Sequence, residues 1–214
     1  MLWRAAQGVI LQVAVVTFDG FNELDSFIAY GLINRARVQG QDVTAYITTP
    51  APVVTSMNGV EVTGQRPLDF ITEADAVLLG SGIKTRDVVA DDTLLTRLPL
   101  DPERQLIGSQ CSGALVLAHL GLLAGRPACT DTVTRPWLEE RGVTVLDAPF
   151  HAEGAIATAG GCLASVYLAA WTLLHTVGEA AARAAIEYAA PVGEKQEIVQ
   201  RVMSRVRTVE AALR

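Results

Sequence analysis

The sequence is poor in charge. Asp, Glu, Lys and Arg make up 19% of its 214 residues, against roughly 25% in an ordinary soluble domain, while 50% are hydrophobic. A large share of the chain must therefore be hidden from water, which excludes a disordered protein. The 17 Lys and Arg against 23 Asp and Glu leave a net charge of −6, and no basic cluster stands anywhere. Such a chain carries no electrostatic footprint for nucleic acid or for an anionic membrane surface, so neither is expected as a partner.

Long hydrophobic runs are missing as well. The longest near the start, Val9 to Val16, is interrupted by Gln12 and is too short to span a bilayer. Read with the charge in Met1 to Arg4 it resembles a signal peptide, yet no small-x-small cleavage site follows. Cysteine is scarce. Cys111, Cys129 and Cys162 are odd in number and lack paired spacing, so no disulfide framework or CxxC zinc site is expected, and the thiols suit the reducing cytoplasm. Neither a P-loop, nor a dinucleotide fingerprint, nor His, Cys and acids at metal-ligand spacing occur. No cofactor and no metal are expected.

What is present is a regular alternation. Val9 to Val16 is the nearly continuous apolar run of a parallel strand covered on both faces. Leu24, Phe27, Ile28, Leu32 and Ile33 follow at helical spacing, with Gly40 as the stop. Val43 to Thr48 is a second strand, and Asn58-Gly59 between Val53-Val54 and Val60 to Val62 signals a hairpin. Ala76 to Leu79 is a third strand and Val88 to Leu98 a helix. Leu106 to Gly108 leads to Cys111, and Gly113 to Leu120 is helical again. Strand-like Thr144 to Leu146 and Ala155 to Thr158 precede a long Ala-rich helix over Leu163 to Ala189. No linker or repeat divides the pattern, which reads as one α/β domain over 1–214, a mostly parallel sheet with helices on both faces. In such sheets sites form at the carboxyl ends of strands.

The sharpest candidate is Cys111. In Ser109-Gln110-Cys111-Ser112-Gly113 it sits where a strand runs into a helix among small residues, the pattern of a nucleophile elbow. The helix start is expected to favour its thiolate. Packing is the alternative for any buried thiol, and it is the reading given to Cys129 and Cys162. Cys162, after Gly160-Gly161 at a helix start, could also place a second thiol near the site. Of His119, His151 and His175, His151 alone is placed to reach a strand end, so no Cys-His dyad is evident. Glu23 and Asp25 follow the first strand, as candidate acids or as ordinary first-turn charges. Gly80-Ser81-Gly82 closes the third strand, where its backbone can meet an oxyanion or simply turn tightly.

These residues resemble the ThiJ/PfpI superfamily of class I glutamine amidotransferase-like proteins. The most specific match is Cys111-Ser112-Gly113-Ala114 continuing into Leu120-Gly121-Leu122-Leu123-Ala124-Gly125-Arg126-Pro127-Ala128-Cys129-Thr130, which is similar to the isonitrile hydratase-like branch. Leu24-Asp25, Val77 to Gly82 and Ile156 to Gly161 complete the order of motifs. The resemblance implies a flavodoxin-like fold, a homodimer and a small-molecule substrate, with Cys111 as nucleophile and Asp25, rather than Glu23, hydrogen bonding its sulfur. Ser112 stands for the branch's Thr, and Ser81 and Gly82 for its Gly-Gly pair at the oxyanion. The implied reaction is hydration of an isonitrile to an N-substituted formamide. The alternatives are a redox-sensing or stress-response protein without turnover and a glyoxalase/deglycase-like enzyme. Ser112 in place of the peptidase branch's His disfavours proteolysis, and Asp131 replaces the His of the common Thr-His pair. An AraC-type regulator is not expected, because no helix-turn-helix domain follows Arg214.

Overall fold

Continuous apolar strands need cover on both faces, and the fold supplies it. The structure is a computed structural model and describes residues 10–211. Met1 to Arg4, and Val9 of the first apolar run, lie outside the described residues. The run forms β1 (Leu11–Val16), after which α1 (Glu23–Val38) crosses over to β2 (Val43–Thr49). A separate antiparallel hairpin, β3 (Val53–Thr55) and β4 (Glu61–Thr63), turns through Asn58-Gly59 as expected. Then come β5 (Arg66–Pro67), β6 (Ala76–Leu79) and β7 (Leu106–Gln110), and finally β8 (Phe150–Glu153) with β9 (Ile156–Ala159).

The main sheet has seven strands in the order β5-β2-β1-β6-β7-β9-β8. Every pairing is parallel except that of β8 with β9. Alternation along each strand divides the core in two. Val13, Val15 and Leu78 face α1 and the carboxyl-terminal helices; Ala14, Val16, Val77 and Leu79 face the opposite layer with Leu115 and Leu117. Trp171 is wholly buried in the first of these cores. Trp171→Ala is expected to cost about 3–5 kcal/mol, read as a lowered urea midpoint at unchanged slope.

Three helices differ from the pattern read in the sequence. The segment expected as one helix over Val88 to Leu98 is two short ones, α2 (Thr85–Ala90) and α3 (Asp92–Leu95). Asp91 separates them because it takes an extended conformation and its side chain accepts from the Leu94 N–H, an N-cap that starts a new helix. After α4 (Gly113–His119) and α5 (Arg135–Glu139), the Ala-rich stretch is broken into α6 (Ser165–Thr176) and α7 (Glu179–Ala189). Gly178, at φ 95°, makes the break. A further helix, α8 (Lys195–Ala211), lies beyond the last element read in the sequence; Val199, Val202, Met203 and Val206 give it a buried stripe. Thr144 to Leu146 does not join the sheet; Val145 makes only a bridge to Ala128. The segment around His151 forms the antiparallel edge strand β8.

Among the described residues no helix is long and apolar enough to cross a membrane.

Candidate active site

Parallel strands deliver their following loops to one edge, and four such loops meet here. Asp25 comes from the first turn of α1 after β1, Ser81 and Gly82 follow β6, Cys111 follows β7, and Cys162 follows β9. The ligand atoms of Asp25, Cys111 and Cys162 all lie within 4.8 Å of one another. Sequence spacing gave no cluster of metal-ligand type; sheet topology makes this trio from residues far apart in the chain.

The turn at Cys111 has the strain expected of an elbow. Among the described residues it is the one non-glycine at positive φ, 44°. The Cys111 N–H donates to the Ala159 carbonyl at 2.8 Å, and its own carbonyl accepts from Thr130 Oγ1 at 2.8 Å, so both neighbouring segments hold it. Gly113 must be glycine, because a Cβ there would stand 2.7 Å from the Leu79 carbonyl oxygen. Gly82 is under the same constraint, with a Cβ 2.2 Å from the Gly20 oxygen. Close approach of backbones, more than turn geometry, explains Gly80-Ser81-Gly82 and the small residues after Cys111.

Asp25 and Glu23 diverge. Glu23 turns outward to the hairpin, where the Ser56 hydroxyl and Asn58 Nδ2 donate to it. Asp25 is wholly buried, and Ser81 Oγ donates to its Oδ2 at 2.5 Å. Burial pushes the Asp25 carboxyl from its ordinary 3.8 up to about 6, against the opposing hydrogen bonds from Ser81 and Cys111. Burial also pushes the Cys111 thiol well above its usual range, helped by the negative charges of Asp25, Cys162 and Asp131 and opposed by the Gly161 N–H. The expected thiolate preference at the helix start is therefore overridden: α4 has only seven residues, and the acids and burial act the other way. The result is a buried carboxyl and thiol that compete for a proton within one unit.

Ser112 and Gly82 are brought together, but differently from the oxyanion arrangement expected. The Gly82 N–H donates to Ser112 Oγ at 3.1 Å, and Ser112 Oγ lies 2.8 Å from Thr85 Oγ1. Ser81 contributes its hydroxyl to Asp25. Around these groups opens a cavity of about 430 Å³. Met57, Ile83, Val133 and Trp137 make its wall apolar, and Arg86, 4.8 Å above the Trp137 ring, stands at the same wall. None of the three histidines lines it. His151 lies on β8, two strands across the sheet from β7, where burial lowers its pKa. Asp131 lines the cavity but is occupied locally: its carboxylate accepts from the Val133 and Thr134 N–H groups and from Thr134 Oγ1.

Three participants were not legible as such. Cys162, read as packing with a second thiol near the site as the alternative, is half-buried and lines the cavity, as the alternative had it. Asn22 caps α1 through Oδ1 and donates from Nδ2 to Cys162 Sγ at 3.1 Å. Gly161, at φ 90°, aims its N–H at Cys111. The Gly160-Gly161 pair ahead of a helix was the available signal for the last. Cys129 fits its packing role, fully buried with its N–H donating to Thr158 Oγ1.

Solved structures share this fold. Drosophila melanogaster DJ-1beta has a TM-score of 0.73 at 17% identity, covering 84% of this chain and 97% of its own. A ThiJ/PfpI family protein from Pseudomonas syringae has 0.73 at 18%, covering 94% and 89%. A cysteine-to-alanine mutant of a DJ-1 superfamily protein from Salmonella typhimurium has 0.69 at 22%, covering 84% and 97%. No curated protein matches the chain. The DJ-1/PfpI family model matches residues 11–173, which takes in the whole sheet and all four site loops, and the chain belongs to the DJ-1/PfpI family.

Proposed function

We propose that this chain is a cysteine-dependent enzyme that hydrates isonitriles to N-substituted formamides, with Cys111 as nucleophile and Asp25 as its proton partner. The observation that carries it is the buried Asp25–Cys111 unit at the floor of a largely apolar cavity without histidine. An isonitrile carbon is soft and carbene-like. It needs a soft nucleophile and, at once, a proton, and one thiol–carboxyl unit holding a single proton supplies both.

In this scheme the sulfur attacks the isonitrile carbon while the shared proton passes to that carbon, giving a thioimidate on Cys111. Asp25, now a carboxylate, takes a proton from water as the water oxygen adds to the same carbon. The C–S bond then breaks, nitrogen is protonated, and the formamide leaves; one water is consumed and the Cys111–Asp25 proton is restored. The Gly161 N–H steadies the departing sulfur anion. Ser112, tied to Gly82 and Thr85, holds the loop after β6 against the elbow. No cofactor is required by these steps. The same proposal carries a single domain, a homodimer and a cytoplasmic location.

The test is incubation of the purified protein with an aryl isonitrile, with formamide followed by chromatography. No formamide above buffer overturns the reaction assigned. The pH profile adds a second expectation. Above about pH 6 the unit holds one proton and is active; below it Asp25 is also protonated and the thiol can no longer surrender its proton. kcat/KM therefore rises with pH through about 6 and then levels.

A further inference from the structure

We propose that Cys111 and Cys162 are a disulfide-forming pair, brought together by the loops after β7 and β9, that closes when the site meets a hydroperoxide. It rests on Cys111 being the reactive group of the site, and it adds a covalent modification that blocks that group reversibly.

The geometry has three parts. The two sulfurs lie within 4.8 Å of each other, with a carboxylate oxygen of Asp25 equally near. Cys162 is half-buried on the cavity wall, whereas Cys111 is 4% exposed at its floor. Asn22 Nδ2 donates to Cys162 Sγ and so fixes that sulfur on the cavity side. A bond requires the sulfurs to approach to about 2.05 Å. Cys162 begins a short 3₁₀ turn directly after Gly161, at φ 90°, and no buried strand constrains its backbone.

The chemistry balances with one hydroperoxide. The Cys111 sulfur attacks the outer peroxide oxygen and the O–O bond breaks; the thiol proton goes to the leaving oxygen, giving an alcohol or water and a sulfenic acid. Cys162 sulfur then attacks Cys111 sulfur, the S–O bond breaks, and hydroxide leaves as water with the proton released by the Cys162 thiol, relayed by Asp25. The two thiols lose two hydrogens and two electrons, and the hydroperoxide gains them. With a second thiol in place, the sulfenic acid is captured before further oxygen adds.

The experiment treats the full chain, in thiol-free buffer, with about three equivalents of hydrogen peroxide, enough to carry an uncaptured sulfenic acid on to sulfinic acid, and reads intact mass and peptide maps. Most chains are expected to lose two hydrogens, with a Cys111–Cys162 linked peptide, Cys129 still alkylatable, and full return on adding dithiothreitol. Cys162→Ser and Cys162→Ala, each checked for a cooperative melt, are expected instead to gain oxygens at Cys111 that dithiothreitol does not remove. Wild-type protein that gains two oxygens at Cys111 while Cys162 remains a free thiol overturns the proposal, as does no change at either cysteine. Neither readout uses an isonitrile. A chain that forms the disulfide but hydrates nothing refutes only the reaction assigned above, and reduced enzyme that turns over but never forms the bond refutes only the pairing.

Discussion

Asp25→Asn lowers kcat/KM for an aryl isonitrile by about 10²–10⁴-fold and raises the melting temperature in the same protein. The two effects have one cause. An amide keeps the acceptor that Ser81 Oγ uses at 2.5 Å, so the hydrogen bond at that end of the side chain survives. It cannot exchange a proton with Cys111, so the thiol loses the partner that makes it a nucleophile. For stability, burial places the folded carboxyl at about 6 against an ordinary 3.8. A raised folded value means that stability is fully present below 3.8 and is lost as pH rises through about 6, because the unfolded chain gives up the proton first. A shift of this size corresponds to about 3 kcal/mol at neutral pH, which Asn does not incur. For a chain of this length that is a rise of about 6–12 °C at pH 7, shrinking toward zero near pH 4. Thermal melts at both pH values check the sign; a lower melting temperature at pH 7 contradicts the burial cost assigned to Asp25.

The second large effect belongs to Cys111. Cys111→Ala is expected to leave no turnover above buffer, since no other thiol stands at the strained elbow. Its backbone at φ 44° adds a stability signature independent of activity. An L side chain in the left-handed region costs about 1 kcal/mol or more, whereas glycine adopts it freely. Cys111→Gly is therefore expected to be more stable than Cys111→Ala by about 1 kcal/mol, measured by urea unfolding. Equal stability would show that the elbow is not strained.

How much of this could be read beforehand varies with the kind of signal. Strands such as Ala76 to Leu79 and the elbow around Cys111 were legible because local pattern decides them: β-branched and aliphatic runs buried on both faces, and small residues where backbones nearly touch. The choice of Asp25 over Glu23 came only from resemblance; the hydrogen bonds of Glu23 to Ser56 and Asn58 supply its physical reason. For Cys162 the sequence left packing and a second thiol near the site both open, because its neighbours in sequence are those of a helix start, while the neighbours in space that decide for the second, Asn22 and Cys111, follow β1 and β7. The ionisation of Cys111 was misjudged for a related reason. A helix start argues for a thiolate, but the opposing burial and acids arise from segments far away in the chain, such as the one that carries Asp25. The break at Gly178 and the cap at Asp91 were present in the sequence as a glycine and an N-capping residue, but apolar periodicity on both sides concealed them.

The central claim is that Cys111 bonds covalently to the substrate carbon with Asp25 as its proton partner. The most direct measurement is rapid acid quench of wild-type protein mixed with an aryl isonitrile, followed by intact mass and peptide mapping within the first turnover. A transient gain equal to the mass of one isonitrile, located on Cys111, decaying as formamide appears and missing from Cys111→Ala, is the predicted result. Formamide produced at an undiminished rate by Cys111→Ala, with no adduct on Cys111 in the wild-type protein, would contradict it.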